Sequence, residues 1–183
     1  MSGIDITLLL IFASVNPFAV LATVNKSGCS SLQPKNAALA FIAAGALLLA
    51  TTFATDGFLD ALQLQPETFR ISAGIVMAVT GGAFMFFGPF SYPIGEGWWR
   101  ALFPIGFPLL ASPAVFTAVL TRSADAGEGQ TILALVIVVA VAAFVLSALA
   151  GRFVYIVSAL ARLMGALLVF LAVGLITDGI HAI

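Results

Sequence analysis

The stretch ITLLLIFASVNPFAVLATV (Ile6–Val24) decides how this chain is read. It is apolar enough to cross a bilayer, yet Asn16 and Pro17 sit in its middle. Proline removes one backbone N–H and clashes with the carbonyl four residues back. In lipid no water satisfies a freed backbone group, so a break there must be enclosed by protein or line a cavity. A second such place occurs at Ala111–Ser112–Pro113–Ala114. The offset that carries Pro17 onto Pro113 also carries Lys26 onto Arg122 and Ser27 onto Ser123. The pattern predicts a duplicated unit with a break at the same place in each copy.

Composition points the same way. Of 183 residues, 62% are hydrophobic and 8% charged, whereas soluble domains carry about 25% charged residues. Lipid must therefore cover most of the surface. A formal net charge of -1 argues against a nucleic-acid partner. Cys29 and His181 are each the single residue of their kind, so an internal disulfide and a cysteine-based metal site are excluded. No metal, cofactor or catalytic group is expected. The N-terminus lacks a basic residue before its apolar run, and Asp5 precedes it; it reads as a retained helix rather than a signal peptide.

A helix rises about 1.5 Å per residue and must cross about 30 Å of hydrocarbon, which takes about 20 residues. Stretches of this kind are Ile6–Val24, Ala37–Thr55, Phe69–Phe90, Ala101–Leu120, Thr131–Ala150 and Tyr155–Ile176. The last contains Arg162, so Gly151–Ala161 is expected to be a short interfacial segment before a late start. Asn25–Lys35, Asp56–Pro66, Ser91–Arg100 and Arg122–Gln130 read as polar connectors. None is long enough to separate soluble domains. Lys26, Lys35, Arg100, Arg152 and Arg162 fall on one side of a six-span chain, Arg70 and Arg122 on the other. The excess of basic residues places the first side in the cytoplasm and both termini outside. Trp98 and Trp99 are then anchors at the cytoplasmic interface.

Three spans per half invert the second half relative to the first. The third span of each half opens alike, Arg70-Ile-Ser-Ala-Gly74 against Arg162-Leu-Met-Gly165. The expected fold is an all-α integral membrane protein: six transmembrane helices in a single domain over 1–183, built as two inverted three-helix repeats (about 1–92 and 97–183) with interrupted first and fourth helices. Gly74, Ala78, Gly81 and Gly82 give the third span a small face, and Gly165, Ala172 and Gly174 do so in the sixth; such faces let membrane helices approach closely.

Inverted repeats with broken helices are a transporter signature, with the substrate site near the midplane. Asn16 and Pro17 in the first break, Ser112 and Pro113 in the second, and nearby Ser14 and Thr117 are the candidate substrate contacts. The carboxylate of a zwitterion suits a helix N-terminus, by about 0.3–2 kcal/mol, and its ammonium suits carbonyls or the Asn16 oxygen. No acid or base lies mid-membrane to pair with a charged side chain, so the cargo is expected to be small and net-neutral. Pro108, Arg70, Gly74, Arg162 and Gly165 are assigned to structure and gating. Arg70 and Arg162 are expected at opposite interfaces, snorkelling to headgroups, with a gate that pairs them with Asp56, Asp60 or Asp178 in one state as the alternative. A passive channel and a structural or accessory subunit are the alternatives. An enzyme is disfavoured, because the embedded polar groups are too few for a nucleophile, acid and base within reach.

The same residues resemble the MarC integral membrane proteins, also classed as small neutral amino acid transporters. FASVNPFAVLATV looks like the Asn-Pro motif of that family's first span, and ETFRISAGIVMAVTGGAFMF like its third. FPIGFPLLASPAVFTAVL is similar to the proline-rich fourth span, and ALARLMGALLVFLAVGLITDGI to the last. The resemblance covers nearly the whole chain. It implies six spans, an inverted pair of three-helix units, and transport of amino acids such as alanine and glycine across a prokaryotic plasma (inner) membrane. Its partners are the lipid bilayer and a small solute; a homo-oligomer is compatible with it. Two glycine positions of the family depart: Phe18–Ala19 follow the first Asn-Pro, and Ser112–Pro113–Ala114 stand where Gly-Pro-Gly is usual.

Overall fold

The computed structural model describes residues 3–26, 34–89, 99, 101–149 and 153–183. Ser27, Cys29, Trp98, Arg100, Gly151 and Arg152 lie outside them. The described residues are mostly helical, with no strand. The helices are α1 (Gly3–Val15), α2 (Pro17–Lys26), α3 (Pro34–Phe53), α4 (Thr55–Ala61), α5 (Pro66–Phe87), α6 (Pro113–Ala126), α7 (Glu128–Leu149) and α8 (Val154–Ala182). An irregular coil, Ala101–Leu110, precedes α6 and is opened by extended backbone at Phe103 and Phe107. By length and apolarity, α1 with α2, α3, α5, α7 and α8 can each cross a membrane; the irregular segment with α6, bent by 49°, makes a sixth crossing if both count as one span.

The first span lies inside the bundle. About 72% of its most apolar window is buried, against 28–33% for the other four unbroken or nearly straight spans. That position meets the demand made by Pro17: the ladder is broken where protein, not lipid, surrounds it. The first and fourth spans pack on each other and lie between a pair of buried clusters. Ile11, Val15, Val115 and Val119 face one cluster, completed by α3 and α7. Leu10, Ala13, Ala114 and Ala118 face the other, completed by α5 and α8. The first span and α6 thus form a middle layer, with α3 and α7 on one side and α5 and α8 on the other.

α5 and α8 run antiparallel along a seam of small residues. A Cβ on Gly81 would lie 2.7 Å from the Gly165 carbonyl oxygen, and one on Gly165 the same distance from that of Gly81. Gly74 faces Ala172, and Gly179 faces Glu67. The small residues recur every seventh position on both helices, the spacing that keeps them on one contact line. Gly82 and Gly174, expected on these faces, are not in the seam: a Cβ on either would meet nothing within 4 Å.

Two boundaries differ from expectation. α8 is continuous from Val154, so no separate interfacial segment reaches Ala161. Arg162 is tolerated within it because its guanidinium reaches the end of α5. Likewise Arg122–Gln130 is not a connector: α6 runs to Ala126, Gly127 (φ 83) makes the turn alone, and α7 begins at Glu128. Positive φ is the geometry glycine adopts without a side-chain clash. Gly3 lies against Arg122 and Gly179 against Glu67, so the two ends of the chain emerge at one end of the bundle.

Candidate functional site

The two breaks are built from the same device. Asn16 takes a left-handed backbone (φ 44), which asparagine tolerates better than most residues. Its side-chain oxygen accepts from the Ala19 N–H at 3.1 Å, and its main-chain carbonyl accepts from Ala19 at 2.9 Å and Val20 at 3.3 Å. Ser112 is extended (φ -79, ψ 160), and its hydroxyl accepts from the Val115 N–H at 3.3 Å. Pro17 and Pro113 each occupy the first helical position. A polar cap followed by proline is the ordinary way to start a helix, because that N–H has no partner in the helix anyway. Here it restarts a helix within the first span, between α1 and α2, and starts α6 after the irregular segment.

The caps differ in their surroundings. Asn16 is 1% exposed, and its amide donates to the Ala161 carbonyl at 3.0 Å, tying the first span to α8. Ser112 is buried and Pro113 exposed. Ser14 donates to Leu10 O at 2.8 Å, and Thr117 to the carbonyls of Pro113 and Ala114 at 3.1 Å each. Pro17 is buried and Pro108 half-buried. Each of the four candidate polar side chains therefore already has a backbone partner.

A cavity of about 620 Å³ lies elsewhere, between α1, α5, α6 and α8. None of the six candidate contacts lines it. Its polar wall is Arg70, Arg122, Asp125 and Asp178; its apolar wall includes Ile6, Leu9, Leu167, Phe170 and Leu171. Arg70 donates from Nε (2.9 Å) and Nη2 (2.6 Å) to one Asp125 oxygen. Arg122 approaches the other at 3.6 Å and donates from Nε to the Thr7 hydroxyl at 2.9 Å. Asp125 thus joins α5 to α6, and Arg122 joins α6 to α1. The Arg70 partner is Asp125, not a headgroup alone and not the Asp56, Asp60 or Asp178 of the gate alternative. Reading residues 122–130 as a loop hides it; the three-residue spacing of Arg122 and Asp125, natural for a helical ion pair, is the signal that could have found it.

Arg162 is at the opposite end. Its guanidinium donates to the carbonyls of Met85 and Phe86 at 3.3 Å each, closing the last turn of α5. Lys26 Nζ reaches the Pro89 carbonyl at 3.5 Å. Of the basic residues sorted from the sequence, Lys26 and Arg162 lie at one end and Arg70 and Arg122 at the other, while Arg100 and Arg152 lie outside the described residues.

No curated protein and no solved structure matches the chain. A family model does, over residues 2–183, and its description is MarC family integral membrane protein. With nearly the whole chain matched and apolar helices arranged around two interrupted spans, this multi-pass protein belongs to the MarC family and lies in contact with the lipid bilayer.

Proposed function

We propose that the protein is a secondary transporter or exporter of a small, net-neutral solute, a small amino acid such as alanine or glycine, and not an enzyme. One observation carries this reading: both spans of the middle layer restart at a polar cap followed by proline, Asn16–Pro17 and Ser112–Pro113, with protein on either side. Irregular backbone at membrane depth is tolerated where it is enclosed or lines a path. Two such restarts at matching sequence positions fit the half-helix ends that hold substrate in carriers built from inverted repeats.

In this reading the chain is one transmembrane domain of six spans. Residues of about 1–92 and 97–183 are inverted copies. It resides in a prokaryotic inner membrane with both termini outside the cytoplasm, as the distribution of basic residues favours. Ser14, Asn16, Pro17, Ser112, Pro113 and Thr117 form the cargo contacts once the central layer rearranges. Pro108, Gly74 and Gly165 shape the moving helices, Arg70 and Arg162 guard opposite ends, and a homo-oligomer is compatible with the arrangement.

The test is counterflow in proteoliposomes loaded with unlabelled alanine or glycine. Transient accumulation of labelled amino acid above its equilibrium level, reduced by Ser112→Ala, is the expected result. Flux that only follows the gradient, without counterflow, would assign a passive channel instead. No flux of any small neutral solute from correctly folded protein would favour an accessory subunit.

A further inference from the structure

The cavity by Asp125 has a shape that a small amino acid does not require. Along α8 its wall runs from Leu167 to Asp178, a rise of about 16 Å and half the thickness of the hydrocarbon core. Its deep region is apolar, and Phe170, Val173 and Ile6 are exposed there, on the outer surface of the bundle. Gly174 leaves the wall low: a Cβ at that position would meet nothing within 4 Å. The charged groups gather at the other extreme, where the chain ends emerge. Two arginines and two aspartates stand there together. Asp125 is held by both arginines, whereas Asp178 has no hydrogen bond or ion pair among the described residues and is exposed.

We propose that this groove holds one phospholipid with a primary ammonium headgroup, such as phosphatidylethanolamine, and holds it more firmly than the surrounding bilayer. One acyl chain lies along Leu9, Leu167, Phe170 and Leu171. The phosphate faces the Arg70 and Arg122 guanidinium groups, and the ammonium meets Asp178. The charges fit this occupant better than an anionic lipid, since two cations are balanced by two carboxylates. A primary ammonium offers three N–H donors, as lysine does; a choline headgroup offers none to the Asp178 carboxylate. The inference rests on membrane embedding alone and is independent of the transported solute.

The experiment adds phosphatidylethanolamine, phosphatidylcholine or phosphatidylglycerol of matched acyl chains to the full-length protein in detergent. Native mass spectrometry counts retained lipids, and thermal melting reports stabilisation. The expected result is one retained lipid, with phosphatidylethanolamine occupancy about two- to fivefold above phosphatidylcholine, the range of a partly exposed ion pair, and phosphatidylglycerol no better than phosphatidylcholine. Asp178→Asn, which breaks no hydrogen bond or ion pair among the described residues and removes only a longer-range attraction to Arg70, should bring phosphatidylethanolamine down to the phosphatidylcholine level. Gly174→Leu should fill the groove and lower the occupancy of all three lipids while leaving the melting of lipid-free protein in place. Equal retention of the three headgroups, a preference for phosphatidylglycerol, or an ethanolamine preference that survives Asp178→Asn would overturn the assignment.

Discussion

Arg70 in α5 and Arg162 in α8 open similar stretches of sequence, yet they are satisfied by different chemistry. Arg70 meets a carboxylate on a neighbouring helix, at 2.6 and 2.9 Å. Among the described residues, Arg162 meets only main-chain oxygens at the end of α5, both at 3.3 Å. The offset that aligns the prolines places Cys29 opposite Asp125, and a cysteine cannot supply the permanent charge. The likeness between the two stretches of sequence therefore does not extend to the partners of their charged residues. One end of the bundle is latched through an ion pair between spans, the other through backbone capping.

Removing the ion pair should have the largest effect. Asp125 has a side chain only 10% exposed and serves two arginines. Asp125→Ala leaves both without their paired carboxylate, and breaking a buried pair from one side typically costs about 3–5 kcal/mol; access to the membrane surface and the nearby Glu67 and Asp178 charges on Arg70 reduce this to about 3 kcal/mol. Chemical denaturation in micelles measures it. In a double-mutant cycle, Arg70→Ala added to Asp125→Ala should cost less than Arg70→Ala alone, because the charge it removes is already orphaned. Additive losses would show that the contact carries little coupling and that the two ends are alike after all.

The partners of Asn16 mark a second unequal pair. Asn16→Ala loses the cap, the bond to Ala161 and a residue suited to φ 44, together worth about 2 kcal/mol. Ser112→Ala loses one cap bond at normal φ, about 1 kcal/mol. Asn16→Gly separates the terms, since glycine relieves the backbone but restores neither hydrogen bond. Equal destabilisation by the two alanine variants would mean that the Ala161 contact adds nothing.

How much of this is legible in the sequence follows from the range of each interaction. The breaks at Asn16 and Ser112 are visible because a cap followed by proline is a local signal. Span positions and the grouping of Lys26 with Arg162 and Arg70 with Arg122 are visible because hydropathy and charge fix depth. The Arg70–Asp125 pair is not, since it joins α5 to α6 across a large sequence separation, and Asp125 among glycines resembles a loop residue. The seam of Gly74, Gly81, Gly165 and Gly179 is half legible: small residues announce a close approach, but excluding Gly82 and Gly174 needs the register of α8. The cavity is illegible for the same reason, as its walls come from four separate helices.

That seam holds the two arginines at their separate ends, and it admits a controlled test. Gly81→Ala puts a Cβ within 2.7 Å of a backbone oxygen. Backbone cannot rotate away as a side chain can, so α5 and α8 must separate, at about 1–2 kcal/mol by the usual scale of overpacking. Gly82→Ala, one residue along the same helix, enters open space and should be neutral or stabilise by up to about 1 kcal/mol. Similar melting temperatures for the two variants would place the contact line elsewhere on α5.

Among the destabilising variants, the smallest effect should come from Arg162→Ala. The carbonyls of Met85 and Phe86 lose a donor, but Arg162, Met85 and Phe86 are all exposed, and water at the membrane surface can replace a capping side chain there. The expected loss is about 0.5–1 kcal/mol, well below that of Asp125→Ala. The comparison of the two ends turns on this ratio. If Arg162→Ala were as damaging as Asp125→Ala, main-chain capping would be as strong a latch as the ion pair, and the asymmetry between the two ends would be one of chemistry without energetic consequence.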